Sequence, residues 1–408
     1  MYFMFLVVIT TLIVMDYAAK RRRYNLTSNY CGPRIYPIFG TTEIFKSREV
    51  EDFLRTIGEL SVKYGPMYRI WMGHELVVVV EDPAILKTLL SSPKYITKHS
   101  FYIVTANKFK RHLDGKEFDI YADVSLATLD IVCESTMGAK IGAQTSSDCG
   151  YVNAVEELTN IINKRGVNVW YWSDLIFGIL APKMKERQDH LIKILHSFTD
   201  NVIIKRRNAL LRKQKPEDAP PLTEVDLDAR KRAVLLDVLL QSAINGKPLT
   251  NADIREEVDT FIFGGHDTAA TTVSFALYCL SRHPEVQSQA FQEICEVIGT
   301  DKNKPVTYKD LQNLKYLECI IKETLRLYPS GPVIGRQALE DSKIGEYSIP
   351  ADTNIVVPIY FMLRNPSSFP DPDKFNPDRF LPPEVSTFLE LGHFRFGKAF
   401  VNIFLQKH

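Results

Sequence analysis

From Tyr2 to Met15 the chain carries no charge, and as far as Ala19 it carries only Asp16. Eighteen helical residues at 1.5 Å each reach about 27 Å, enough for a thin bilayer. Lys20-Arg21-Arg22-Arg23 follows at once, and the positive-inside rule keeps what comes next on the cytoplasmic side. A cleaved signal peptide would carry charge ahead of the apolar run and a small-residue cleavage site behind it, and neither order is found. The expectation is an uncleaved transmembrane signal anchor over 1–19, followed by a basic, Pro-rich linker over 20–40. Within Gly32-Pro33-Arg34-Ile35-Tyr36-Pro37-Ile38-Phe39-Gly40, two prolines fix φ and prevent a helix from continuing, which reads as a stiff extended spacer. The rest, 41–408, is expected to form one domain.

Past the linker the apolar spacing changes period. Arg55 to Tyr64 reads as an amphipathic helix ended by Gly65-Pro66. Tyr68 to Trp71 and Leu76 to Val80 flank Gly73-His74, the pattern of a β-hairpin. Val124 to Met137, Val152 to Lys164, His190 to Gln214 and Lys231 to Ile244 repeat apolar residues every three or four positions, which predicts four helices. Gln214 to Glu224 is polar and Pro-rich, a surface loop. The fold class expected is mainly α with a small β region.

A longer helical pattern begins at Thr250, with Asp253 as its capping-box partner, and runs to Arg282 before Pro284 stops it. Those 33 residues span about 50 Å, long enough to cross a whole domain. The middle reads Phe261-Ile262-Phe263-Gly264-Gly265-His266-Asp267-Thr268-Ala269-Ala270. Two glycines inside a helix cost about 1 kcal/mol each relative to alanine, so something offsets roughly 2 kcal/mol. One reading is another helix packed closely on the glycines. The other is a widened groove where a flat cofactor reaches the backbone, with Asp267 and Thr268 beside it for proton delivery. This segment alone leaves both open.

Composition narrows the classes. Across 408 residues, 45% hydrophobic and 24% charged exclude collagen, coiled coil and wholesale disorder. A net charge of +1 gives no bulk field for nucleic acid. The six cysteines (Cys31, Cys133, Cys149, Cys279, Cys295, Cys319) include no CxxC pair, which excludes a zinc ribbon or a dense disulfide framework. They read as free thiols of a reducing compartment.

A second constellation lies further along. Leu314, Leu317, Ile321 and Leu325 share a helix face, and Glu323-Thr324-Leu325-Arg326 ends that helix before Pro329, placing Glu323 and Arg326 at pairing distance. Then come Gly335-Arg336, Pro350-Ala351-Asp352-Thr353, Arg364-Asn365-Pro366 and Phe375-Asn376-Pro377-Asp378-Arg379-Phe380. That order resembles the cytochrome P-450 haem-thiolate monooxygenases, and among them the animal family 4 enzymes. The run from Glu256 to Phe261, the Gly265-His266-Asp267-Thr268 segment and Ile334-Gly335-Arg336 carry the likeness.

The resemblance implies a cytochrome P-450 fold and roles for particular residues. Glu323, Arg326 and Arg379 match a structural Glu-Arg-Arg network. Arg336 matches an arginine that pairs with a haem propionate, a use suited to a fixed bidentate cation. Asp267 and Thr268 match the acid–alcohol pair of oxygen activation, with Gly264, Gly265 and Thr268 lining the haem. Haem is the implied cofactor, bound by a cysteine thiolate. NADPH supplies electrons through a separate cytochrome reductase, the implied protein partner. The substrate would be a fatty acid or another lipophile, and the location the endoplasmic reticulum membrane with the body on its cytoplasmic side.

The chain also departs from that pattern. The thiolate is expected in a Phe-x-x-Gly-x-Arg-x-Cys loop, yet no cysteine follows Cys319. The nearest string, Phe394-Arg395-Phe396-Gly397-Lys398-Ala399-Phe400-Val401, puts Ala399 at the arginine and Val401 at the ligand, so no metal ligand is assigned. A Trp-x-x-x-Arg helix expected after Tyr95 to Tyr102 is missing, since the tryptophans are Trp71, Trp170 and Trp172. Gly264 stands where many family 4 members carry a glutamate that esterifies haem, and Leu363 stands where a histidine is usual. The sequence therefore reads as an incomplete cytochrome P-450, with a monooxygenase role at family level that is impaired or absent in this chain. The alternatives are a truncated, non-catalytic isoform acting as a membrane-bound binding protein, and a gene-model artefact of a full-length monooxygenase that contains both missing segments.

Overall fold

A computed structural model describes residues 2–42, 50–91, 110–113, 116–145, 150–213, 234–244, 247–301, 304 and 306–382. In chain order the helices are α1 (Tyr2–Leu26), α2 (Val50–Tyr64), α3 (Pro83–Ser91), α4 (Ile120–Met137), α5 (Gly150–Val167) and α6 (Asp174–Leu180). They continue with α7 (Pro182–Lys213), α8 (Leu235–Gln241), α9 (Asn251–Arg282), α10 (Pro284–Val297), α11 (Tyr308–Asn313), α12 (Lys315–Leu327) and α13 (Ile359–Met362). The strands are β1 (Ile35–Tyr36), β2 (Gly40–Thr41), β3 (Met67–Met72), β4 (Glu75–Val80), β5 (Lys110–Leu113) and β6 (Lys116–Asp119). After them come β7 (Ala243–Ile244), β8 (Lys247–Pro248), β9 (Ile334–Gln337), β10 (Ser342–Ile344), β11 (Tyr347–Ile349) and β12 (Asn354–Val357). The architecture is mainly helical with a small β region. It divides into two compact units: Met1–Thr105, Ile162–Phe177 and Cys279–His408 form one, Ala106–Ile161 and Gly178–Tyr278 the other.

The first unit is organised by a six-stranded sheet in the order β1-β2-β3-β4-β12-β9. β3 and β4 form the expected hairpin, paired from Met67↔Val80 to Met72↔Glu75 around Gly73, whose φ of +62° suits the tight turn. Along β4, Val77 and Val79 face a cluster with Phe53, Ile57 and Leu60 of α2, while Val78 and Val80 face Tyr30, Leu89 and Ile355 on the other side. Both faces are covered, which is why Leu76 to Val80 is continuously apolar rather than alternating. The segment read as an extended spacer instead folds back, β1 pairing with β2 and β2 with β3.

The transmembrane anchor expected over 1–19 finds no support: among the described residues no helix is long and apolar enough to cross a membrane. α1 runs on through the expected boundary at 19/20 to Leu26. Its second half is built for protein contact. Lys20 is buried, pairs with Asp16 at 2.7 Å and lies over the Trp71 ring. Arg22 and Arg23 pair with Asp341 and Asp352, so two charges of the basic cluster engage carboxylates of the same unit.

In the second unit α4 starts on Asp119, whose side chain accepts the Tyr121 N–H, and ends on Gly138 in the left-handed conformation. α7 begins at Pro182, well ahead of His190. α8 is shorter than the 231–244 pattern because Ser242 turns extended and Ala243–Ile244 pairs with Lys247–Pro248. α9 opens on the predicted capping box: the Thr250 N–H donates to Asp253 at 2.9 Å and the Asp253 N–H donates to the Thr250 hydroxyl at 3.2 Å. Leu129, Cys133 and Met137 of α4, Val155 of α5, Val202 of α7 and Ile254, Val258 and Ile262 of α9 share one core. Gln214 to Glu224, Tyr95 to Tyr102 and the Phe394 to Val401 string lie outside the described residues.

Candidate functional site

In the middle of α9 one of the two glycines carries a close helix contact. A Cβ built on Gly265 would sit 2.8 Å from Cγ2 of Val132, closer than side chains tolerate. Val132 is a β-branched residue on α4 with little rotamer freedom in a helix. Gly265 is thus where α4 packs on α9, which is the packing reading.

Around that crossing the second unit buries a polar group. Asp267 is 2% exposed, and one carboxylate oxygen accepts the phenol of Tyr121, the first buried residue of α4. Burial raises the Tyr121 pKa, and the Asp267 charge raises it further. The other carboxylate oxygen has no protein partner among the described residues, and neither do the hydroxyls of Thr271 and Ser274. Positions 267, 271 and 274 fall on one helical face. Leaving three such atoms dry would cost about 1–3 kcal/mol each, so the stripe suits internal water. Thr268 donates to the Gly264 carbonyl at 2.7 Å, within its own helix. His266 is 1% exposed, its ring edge-on to Tyr151, and burial lowers its pKa while Asp267 partly opposes that.

In the first unit the ends of α12 and of the long loop after α13 meet on a buried ion pair. Arg326 donates from Nε and Nη2 to the two Glu323 oxygens at 2.7 and 2.9 Å, with both side chains 0% exposed. The remaining Arg326 donors reach the carbonyls of Leu363, Pro372 and Lys374 at 2.9, 2.6 and 3.2 Å. Glu323 also accepts the Asn376 N–H at 2.8 Å. Arg379 approaches Glu323 as an ion pair at 3.5 Å and spends a hydrogen bond on the Asp371 carbonyl. The three residues proposed from sequence are together. Arg326, however, does most of the tying, through main-chain carbonyls that side-chain identity does not disclose.

Arg336 lies on β9, opposite Ile355 of β12, and is 9% exposed. Its guanidinium donates to the Gly335 carbonyl, and among the described residues no acid pairs with it. A nearly buried cation without a carboxylate fits an anionic group such as a propionate.

The axial side is different. Burial pushes the Cys279 thiol up to about 12, and Cys319 is raised by burial as well, so both favour the protonated form. Cys133 is buried in the helical core of the second unit. Among the described residues no group of three or more His, Cys, Asp or Glu side chains is placed to hold a metal. The buried Cys279 and Cys319 thiols therefore do not fit a haem-thiolate ligand.

Comparison with known proteins bears on both units. A family model described as Cytochrome P450 matches residues 104–398. The chain is 38% identical to Cytochrome P450 4d2 of Drosophila melanogaster, with 92% of this chain and 83% of the relative covered. It is 36% identical to Cytochrome P450 4d8 of the same organism, covering 80% and 81%. With Cytochrome P450 4d10 of Drosophila mettleri the identity is 34%, covering 88% and 78%.

Proposed function

The chain belongs to the cytochrome P450 family, resembling its family 4 members, and from that premise we propose that it is a lipophile-oxygenase scaffold that does not complete thiolate chemistry. The family's general role is haem-thiolate oxygenation, with haem as cofactor and a redox partner as electron source. For this chain the substrates would be fatty acids or similar lipophiles, and NADPH would act through a cytochrome reductase. Exposed Val14, Met15 and Tyr17 on α1 support an association with the endoplasmic reticulum membrane. Asp267 and Thr268 are the proposed polar pair of the oxygen side, beside Gly264 and Gly265. Arg336 is the proposed propionate partner, and Glu323, Arg326 and Arg379 are the structural network.

The observation that carries the incomplete half of this reading is the donor set. Val401 stands where the nearest Phe-x-x-Gly string places the ligand, and burial raises the Cys279 and Cys319 thiols above their ordinary range. A thiolate ligand needs a thiol whose pKa is lowered, by a cation, a helix N-terminus or the metal itself. The test is a reduced carbon monoxide difference spectrum of the full chain, expressed in microsomal membranes with haem supplied. The expected result is no thiolate-type Soret band. A band of that type would overturn the proposal.

A further inference from the structure

Ile38 is a β-branched residue at φ +66°, in the left-handed region such side chains avoid. A conformation of that kind persists where its surroundings over-determine it, and it marks places where the fold holds something against its preference. What holds Ile38 is Asp16 on α1: the Ile38 N–H donates to Oδ2 of Asp16 at 2.9 Å. The same carboxylate pairs with Lys20 one helical turn on, at 2.7 Å. Lys20 is 7% exposed, and its ammonium lies 5.6 Å from the centre of the Trp71 ring, on the central β3 strand. Asp16 thus closes a clasp whose other half is the turn between β1 and β2.

A second set of contacts follows one turn later. The Arg69 guanidinium, projecting from β3, stacks on Tyr24 at 4.8 Å and donates to the Thr27 hydroxyl at 2.9 Å. All these groups lie within the first unit. The sequence reads the same stretch as a membrane anchor followed by a stiff extended spacer, which would hold the helix away from the sheet. We propose that α1 is instead a rigid lever fixed to the sheet by the Asp16 clasp, so that any orientation imposed on its apolar half is passed directly to the sheet. Asp16 has this role because it is the first charge of the helix, placed where α1 meets the turn. Its acceptor sites are used by groups on both sides of the joint.

Trypsin reads the joint, because Lys20-Arg21-Arg22-Arg23 offers four consecutive cleavage sites. The full chain in detergent micelles is digested briefly and the products are weighed by mass spectrometry. Wild-type protein should resist cutting at 20–23 while sites elsewhere are cut. Asp16→Ala keeps all four basic residues and should accelerate cleavage there at least tenfold, with the rest of the digestion pattern unchanged. Lys20→Gln, which leaves the Ile38 N–H bonded, should accelerate it several-fold and decides the matter if Asp16→Ala fails to fold. Wild-type cleavage at 20–23 as fast as at the other sites, or no acceleration in a folded variant, would overturn the proposal.

Discussion

Replacing Glu323 with alanine should damage the protein more than any change at the middle of α9. In the wild type the carboxylate accepts two Arg326 donors and the Asn376 N–H and faces Arg379 at 3.5 Å, all without solvent contact at Glu323. Without it, Arg326 keeps the carbonyls of Leu363, Pro372 and Lys374 but loses its counter-charge at 0% exposure. Removing one partner of a buried pair typically costs about 3–5 kcal/mol, because the survivor stays buried and charged. Set against a usual stability of about 5–15 kcal/mol, a loss near 4 raises the unfolded fraction roughly a thousandfold. Thr268→Ala is the control. Its hydroxyl reaches only a carbonyl of its own helix, so the expected loss is about 1 kcal/mol or less. Urea denaturation in micelles, followed by far-ultraviolet circular dichroism, ranks the two. Glu323→Ala/Arg326→Met removes the stranded charge and should recover part of the loss, with recovery limited by the three carbonyls left without a donor. Equal midpoints for Glu323→Ala and Thr268→Ala would refute the argument.

Three further outcomes can be checked by the same denaturation measurement. Gly265→Ala should cost about 1–3 kcal/mol through its clash with Val132, and Val132→Ala in the same chain should recover most of it. Tyr121→Phe should cost about 1–3 kcal/mol by leaving the buried Asp267 carboxylate without its donor, and the effect should largely vanish in an Asp267→Ala background. The folded-state pKa of His266 lies below its ordinary 6.5, so the unfolded chain binds the proton more readily. His266 therefore allows full stability above about pH 6.5 and withdraws it as the pH falls below that value. His266→Gln should flatten this acid slope, and an unchanged slope would assign it to other groups.

How much was legible in the sequence differs from element to element. The 33-residue pattern from Thr250, its capping box and the Gly73 hairpin depend on neighbours three, four or two residues apart, and the structure repeats them nearly residue for residue. Glu323 and Arg326 belong to the same class, one helical turn apart. Long-range geometry was not legible. Tyr121 meets Asp267 across 146 residues, and nothing in the local spacing of either singles out the other. The close contact at Gly265 depended on Val132, whose position only the packing of α4 on α9 supplies. Lys20 to Arg23 illustrates the limit most clearly. A run of basic residues after an apolar stretch has a local meaning, but partners hundreds of residues away, Asp341 and Asp352, redirect two of its charges onto the protein itself. Periodicity fixes which face of an element is apolar. Which buried donor meets which acceptor is settled only when the faces close on one another, because an unpaired polar group costs too much to bury.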